Sequence, residues 1–520
     1  MGHDSAREND SDSRAGPILI LTQPKNHRHS NVAATRDESG QAEARPTRRC
    51  IVLGSTMSIS PARTIAFDAL LRVAKQDAYA DDVLRSELDA TVKTEDAGLA
   101  TELTLGVLRW QRLLDFLIDR YLKKPATTGD VEVRIALRLG AYQLMFLDRV
   151  PAHAAVHESV ELVKRARKRS AANLVNAILR KMAEERKGRD SRAAMLARLL
   201  PAELPLAEQL GIQFSHATWM VERWLRIYGE DRTRGLLQAN NGVPELAGYF
   251  LDRQQTENAT KSLERAGCRI QPGRLLRDAW VLAGGNPGAC DAVRSGWVAL
   301  QDEASQAVAK LLAVRPGDSV LDLCAAPGGK TLLLAQAAGE KGRVVAADLH
   351  ENRVRAMNER LSLSGIGNVE TVVLDGSQPL PFARPFDRIL VDVPCSGTGT
   401  LARHPEIRWK LREEDLRDLH ERQAQLLKNA LPHLAPNGRL VYSTCSLEPE
   451  ENELVVREVL REAGDVFTIA KPLDVLDHIL QPAVRASSIV DVDGFFRTFP
   501  PENGTDGFFA AVVQQQTPGI

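Results

Sequence analysis

Cysteine is scarce in this chain, with six among 520 residues (Cys50, Cys268, Cys290, Cys324, Cys395 and Cys445), and no two form a C-x-x-C pair. That spacing argues against the common zinc frameworks, and so few thiols in so long a chain argue against a disulfide-stapled secreted scaffold. Long apolar runs are absent too: none approaches the roughly 18 residues that cross a bilayer. The short run Ile18-Leu19-Ile20-Leu21 follows an acidic, polar start, the wrong order for a secretory signal. A soluble protein of the reducing cytoplasm is expected, with free thiols, no metal site and no membrane partner. An excess of one charge is also missing, since the formal net charge is -1. The balance is local, however. From Glu158 to Arg192 there are eleven Lys or Arg against five Asp or Glu, centred on Lys164-Arg165-Ala166-Arg167-Lys168-Arg169. Such a knot fits a solvated helix face as well as a phosphate-binding patch.

What is present divides the chain into blocks. Residues 1 to 56 are rich in Ser, Asp, Arg, Asn and Pro with little periodic apolar content, and read as a disordered extension. Met57 stands just before a helix-like start with Pro61 in its first turn, so translation from Met57 is a second reading of this end. Apolar residues then recur at helical spacing (Ile65, Ala69, Leu70, Val73; Leu103, Val107, Leu108, Leu114, Leu117, Ile118), punctuated by Pro125 and Pro151. An all-helical domain of five or more helices is expected over residues 57–190. Residues 191–300 read as a helical linker and a small α/β module. In the linker, Trp219, Val221, Trp224, Leu225 and Tyr228 form a stripe that fits core packing better than base stacking. Over residues 301–520 strands alternate with helices, at Ser319–Leu323, Arg343–Ala347, Val369–Leu374, Arg388–Val391, Arg439–Ser443 and Gly507–Val513. The pattern implies a doubly wound, Rossmann-like parallel sheet, its last two strands possible partners in an antiparallel edge.

Three readings compete for the turn after the first of these strands, Cys324-Ala325-Ala326-Pro327-Gly328-Gly329-Lys330-Thr331. A P-loop would need glycine at position 324, which is cysteine, and the G-x-G-x-x-G dinucleotide pattern is missing. The third reading is S-adenosyl-L-methionine, with Gly328 and Gly329 letting the backbone approach the cofactor closely. Asp348, closing the second strand, is then placed for the ribose hydroxyls, and Asp375, closing the third, for the adenine amino group. Asp392 ends the fourth. One strand-end acid is often only a helix cap, but three in succession make capping a weak account.

Two thiols follow strands: Cys395 in Val393-Pro394-Cys395-Ser396-Gly397-Thr398-Gly399, and Cys445 in Tyr442-Ser443-Thr444-Cys445-Ser446. They could be small buried hydrophobes, yet their Pro, Ser, Thr and Gly neighbours describe loops. With a methyl-sulfonium cofactor they fit one chemistry closely. Carbon 5 of cytosine is a poor nucleophile until a thiolate adds to carbon 6 and makes the ring enamine-like. An acid such as Asp392 assists at ring nitrogen 3, and a second thiol can assist release.

These stretches, with Gln301-Asp302-Glu303-Ala304-Ser305, Arg403-His404-Pro405-Glu406-Ile407-Arg408-Trp409, Glu448-Pro449-Glu450-Glu451-Asn452-Glu453 and Asp506-Gly507-Phe508-Phe509, resemble the RNA 5-methylcytosine methyltransferases. The helical block from Ala62 resembles the NusB-like RNA-binding domain. Together they resemble the B type of bacterial 16S rRNA cytosine-5 methyltransferases, over about residues 58 to 515. The resemblance implies an all-α NusB-like domain, a linking module and a class I methyltransferase domain. It implies Cys445 as nucleophile, Cys395 as the group assisting release, Asp392 facing both cofactor and base, and Cys324 to Lys330 with Asp348 and Asp375 as the cofactor site. The implied partner is 16S rRNA at an exposed loop cytosine, met by a monomer; another RNA, or a non-catalytic RNA-binding role, stands as the alternative. One departure is the segment 242–252, which lacks the arginine-valine-asparagine run expected in the linking module.

Overall fold

Pro61 opens the first helix, Pro61–Lys75, at a position where its missing N–H leaves no helical bond unmade. In this computed structural model, residues 59–76, 78–88, 92–124, 129–186 and 192–515 are described. The extension before Met57, Met57 itself and Pro125 lie outside the described residues. Among the described residues seven α-helices lie between Pro61 and Arg186. Their shared core is built on Phe67, Leu103, Leu113, Leu114, Ile118 and Leu139, of which Leu103, Leu114 and Ile118 are among the residues whose spacing predicts the helices. In the basic knot three cations are already paired: Lys164 with Glu161, Arg165 with Asp68 and Lys168 with Asp130. The knot is therefore closer to a salt-bridged face than to an open cation cluster.

Three further helices, Arg192–Leu199, Leu206–Gln213 and Thr218–Asn240, form the linker. The aromatic stripe is core, as its spacing predicts: Val221 and Trp224 are fully buried, with Leu225 and Tyr228 packed beside them. Their cluster is shared with Leu401, Leu447 and Phe499, and Trp224 Nε1 donates to Glu448 Oε1 at 3.1 Å. The stripe thus docks the linker onto the C-terminal domain.

The small module carries β1 (Leu246–Phe250), β2 (Arg269–Pro272), β3 (Trp280–Ala283) and β4 (Val298–Leu300), in the order β2-β3-β1-β4. Every pairing is antiparallel. The segment 242–252 that departs from the family pattern supplies the inner strand β1. β2 is exposed on most of its length and shows no burial alternation, which is why periodicity misses it.

The C-terminal domain is a mixed sheet of β5 (Ser319–Leu323), β6 (Arg343–Asp348), β7 (Val369–Val373), β8 (Phe386–Asp392), β9 (Leu434–Thr444), β10 (Phe467–Ala470), β11 (Phe496–Arg497) and β12 (Phe509–Gln515). Its order is β10-β12-β9-β8-β5-β6-β7, with β11 pairing β12 off this path. β9, β8, β5, β6 and β7 run parallel. β12 is antiparallel to β9, but β10 lies outside it, so the edge falls one strand further out than the sequence suggests. β10 has four half-exposed residues, too short a run to read as a strand on its own.

The segment Arg403–Trp409 ties the blocks together. Arg403 reaches Asp302 at 2.9 Å, Asp506 at 2.7 Å and the Glu245 carbonyl at 3.0 Å. Glu406 accepts from the Ala80 N–H at 3.0 Å, and Trp409 Nε1 donates to the Leu108 carbonyl at 2.7 Å. Arg408, 1% exposed, donates to the carbonyls of Arg109, Ser215 and Asn240 and to Asn241 Oδ1, at 2.6 to 3.1 Å. A buried guanidinium whose two terminal nitrogens are held by carbonyl oxygens, in place of a carboxylate, is costly to disturb because its removal leaves several acceptors dry. Arg408→Leu is expected to lower unfolding free energy by roughly 3 kcal/mol or more, measured by urea denaturation. A loss under about 0.5 kcal/mol, the scale of ordinary surface changes, would show that the clamp does not hold the blocks.

Candidate active site

Parallel pairing puts the ends of β8 and β9 side by side, with Asp392 opposite Ser443. Ser443 Oγ donates to Asp392 Oδ1 at 2.7 Å, and the Val393 N–H donates to the Ser443 carbonyl at 3.0 Å. The chains then leave the sheet in two facing loops, and the Cys395 and Cys445 Sγ atoms meet 3.2 Å apart. Both thiols are half-buried, so the site is reachable from solvent. The loops approach too closely for a side chain at Gly399, where a Cβ would lie 2.9 Å from the Cys445 carbonyl oxygen and 2.1 Å from that of Gly507 in a third segment.

A buried carboxylate beneath the loops holds them in register. Glu451, 0% exposed, accepts from the Ser396 N–H at 2.8 Å, from Ser396 Oγ, from Ser446 Oγ at 2.5 Å and from Gln423 Nε2 at 2.9 Å. Ser396 and Ser446 each directly follow one of the two cysteines. Asn452 adds a bond to the Ser446 carbonyl at 2.9 Å. The sequence offers Glu451 only as one acid of an acid-rich run. Its role depends on a contact across 55 residues of chain, which local patterning does not reveal.

On the cofactor side, the turn after β5 leads into helix Gly329–Ala338. Gly328 has φ 90° and Cys324 φ 67°, so the cysteine occupies a left-handed conformation of the kind a glycine would otherwise supply. A cavity of 240 Å³ lies against this turn, lined by Cys324 to Pro327, Gly329 and Lys330, and by Asp322, Asp392, Gln301 and Arg360. Two of its buried oxygens, Asp322 Oδ1 and Gln301 Oε1, have no hydrogen-bond partner among the described residues. Unmet buried acceptors are costly, and the α-ammonium of an amino-acid moiety would satisfy them. The residues present therefore fit the methionine end of S-adenosyl-L-methionine.

The three strand-end acids take different surroundings. Asp348, 3% exposed, accepts from the Ala326 N–H at 3.2 Å and so braces the turn. Asp375 accepts from Ser377 N and Oγ at 3.0 and 2.6 Å, which holds its carboxyl below the ordinary range. It is outside the lining of the 240 Å³ cavity. Asp392, expected as a buried acid, is the partner of Lys330, whose Nζ lies 2.7 Å from Asp392 Oδ2 and 5.1 Å from the centre of the Phe508 ring. Burial disfavours the Lys330 ammonium, but Asp392 outweighs it and holds the amine above its ordinary value. The acid that sequence reasoning omits is Asp322, which burial pushes up to about 7 although Thr331 Oγ1 donates to it at 2.7 Å.

A second cavity, of 1030 Å³, runs from Cys395 and Ser396 past Trp409 and Arg412 to Leu70, Arg112 and Arg138 of the helical block. Cys395 thus faces a cleft between the N-terminal helices and the catalytic domain, and Cys445, 3.2 Å behind it, is outside the cleft's lining. Among the described residues no group of three or more His, Cys, Asp or Glu is placed to hold a metal, and no helix is long and apolar enough to cross a membrane.

A family model described as 16S rRNA methyltransferase RsmB/F matches residues 309–514, and a NusB family model matches residues 60–184. The chain is 30% identical over 465 residues to the probable ribosomal RNA small subunit methyltransferase B of Bacillus subtilis, covering 88% of this chain and 100% of that one. It is 33% identical over 459 residues to ribosomal RNA small subunit methyltransferase B of Pseudomonas putida, covering 86% and 97%. The fold is similar to the crystal structure of PH0851, with TM-score 0.72 and 24% identity over 88% of this chain and 99% of that one.

The buried state of Asp322 makes stability depend on pH. Its folded value, about 7, lies above the ordinary 3.8, so the folded protein favours the protonated form. That contribution is complete below pH 4 and is lost as pH rises through 7, by at most about 4 kcal/mol. Denaturant unfolding of the cofactor-free protein between pH 4 and 8 is expected to show this loss for the wild type and a flatter profile for Asp322→Asn. Identical profiles would place the titration elsewhere.

Proposed function

The chain belongs to the RsmB/F family of 16S rRNA methyltransferases, with a NusB-family helical domain ahead of its Rossmann-like catalytic domain, and from this premise we propose that it methylates carbon 5 of one cytosine in 16S rRNA through a covalent adduct. The observation that carries the reading is the thiol pair at 3.2 Å, at strand ends beside a cofactor turn. Cys324 to Lys330, with Asp322 and Gln301 at the amino-acid end, would hold S-adenosyl-L-methionine, which would supply an electrophilic methyl group when bound. Asp348 braces the turn through the Ala326 N–H and would take the ribose hydroxyls. Asp375 contributes at the adenine end.

Cys445 attacks carbon 6 of the cytosine as a thiolate, forming a carbon–sulfur bond and moving ring electrons toward nitrogen 3. Carbon 5 then becomes nucleophilic enough to accept the methyl group. Asp392 has both oxygens engaged, by Lys330 and Ser443. It therefore serves as an ionised bracket for the base, and the Lys330 ammonium that it holds is the N–H source for nitrogen 3. After transfer the carbon 5 proton passes to water in the half-buried site, its electron pair re-forms the carbon 5–carbon 6 double bond, and the carbon–sulfur bond breaks to return Cys445 as a thiolate, with Cys395 assisting this release. Stacked cytosines in a duplex are out of reach of such a pocket, so the substrate is an exposed loop nucleotide turned out of its stack. The cleft toward the helical block gives the neighbouring RNA a place to lie. We read the protein as a monomer of the reducing cytoplasm, where free thiols persist.

Cys445→Ala is expected to abolish methyl transfer, and Cys395→Ala to accumulate a covalent protein–RNA adduct visible as a denaturation-resistant shift on a gel. Full activity of Cys445→Ala, or no adduct with Cys395→Ala, contradicts these roles.

A further inference from the structure

Two thiols 3.2 Å apart pose a problem of choice, because either could become the attacking thiolate. Their charged surroundings differ. Lys330 reaches the site through Asp392, and Glu451 through the serines that directly follow the two cysteines. Glu451 grips the Cys395 side at two points, the N–H and the hydroxyl of Ser396, and the Cys445 side at one, the Ser446 hydroxyl. Among the described residues it faces hydroxyl, amide and backbone donors, with no cation within ion-pair distance. The nearby Arg223 is committed to Glu448 and Glu450. The remaining titratable neighbours are Tyr442, whose hydroxyl donates to the Glu451 carbonyl at 2.6 Å, and Asp392, paired with Lys330.

We propose that Glu451 is a positioning residue that decides which thiol attacks: its buried charge, bonded more fully on the Cys395 side, keeps Cys395 as the S–H donor and leaves Cys445 as the thiolate. An anion beside a thiol disfavours its ionisation and a cation favours it, and burial strengthens both effects. The hydrogen bond to Cys445, then burial and then the neighbouring charges push the Cys395 thiol well up, in the direction that this division of roles requires. The inference rests on the covalent reading above and adds to it an electrostatic cause for the order of the two cysteines.

The test is alkylation of the full-length protein with iodoacetamide across pH 6 to 10, with Cys395 and Cys445 quantified separately by peptide mass. In the wild type Cys445 is expected to react first. In Glu451→Gln, which keeps the shape and removes the charge, Cys395 labelling at neutral pH is expected to rise about tenfold and its titration midpoint to fall. Glu451→Asp should keep the wild-type order. An unchanged labelling ratio in a folded Glu451→Gln protein overturns the proposal and leaves Glu451 as a strut. Should that variant not fold, Cys445→Ser supplies the second measurement. Cys395 must stay slow to label without its neighbour, and fast labelling there overturns the proposal as well. The site of the trapped RNA adduct separates the two levels. An adduct on Cys395 in the wild type sinks the covalent assignment itself, whereas an adduct on Cys445 with unaltered labelling in Glu451→Gln sinks only the role of Glu451.

Discussion

The chemistry of this protein hangs on the register between two neighbouring parallel strands. Because β8 and β9 pair with Asp392 opposite Ser443, the loops that continue them emerge together and their cysteines meet. A shift of one residue would turn alternate side chains to the opposite face of the sheet and separate the thiols. The register is secured twice, by the buried strand residues Ile389, Val391, Leu440 and Tyr442 within the sheet and by Glu451 beneath the loops. Lys330 then joins the thiol pair to the turn after β5 through Asp392, so that in the proposed mechanism a single ion pair links methyl donor and nucleophile.

A second constraint sets how RNA can reach that site. The Arg403–Trp409 segment spends nearly all its polar side chains on contacts to other parts of the chain, with Arg408 at its centre. The wall of the cleft beside Cys395 is therefore built from the same residues that attach the helical block. This explains why so polar a motif contributes no group to the thiol chemistry itself. Its hydrogen bonds fix the distance between the NusB-family helical domain and the catalytic one, and on the proposed function flexibility there would blur which nucleotide reaches the pocket.

Much of this was legible in the sequence, for identifiable reasons. Strands buried on both faces, such as Val320 to Leu323 and Ile389 to Val391, read as apolar runs, and the turns after them carry unusual residues where chemistry sits. The thiols, the cofactor turn and Asp392 could be named from that pattern. Contacts between distant segments could not be read in this way. Glu451 with Ser396, Arg408 with Asn240 and Gln301 at the cofactor cavity all join elements far apart in the chain. Short, half-exposed strands such as β2 and β10 lack the periodicity that would announce them. Asp322 lay within a recognised strand, but nothing in a strand pattern tells an acid that ends below a cavity from one that faces solvent.

The most direct test of the account is bisulfite sequencing of 16S rRNA from cells with this gene, without it, and with the Cys445→Ala form restored. The account predicts one 5-methylcytosine, in an exposed loop, that disappears on deletion and does not return with Cys445→Ala. An identical 16S profile in all three strains would contradict it.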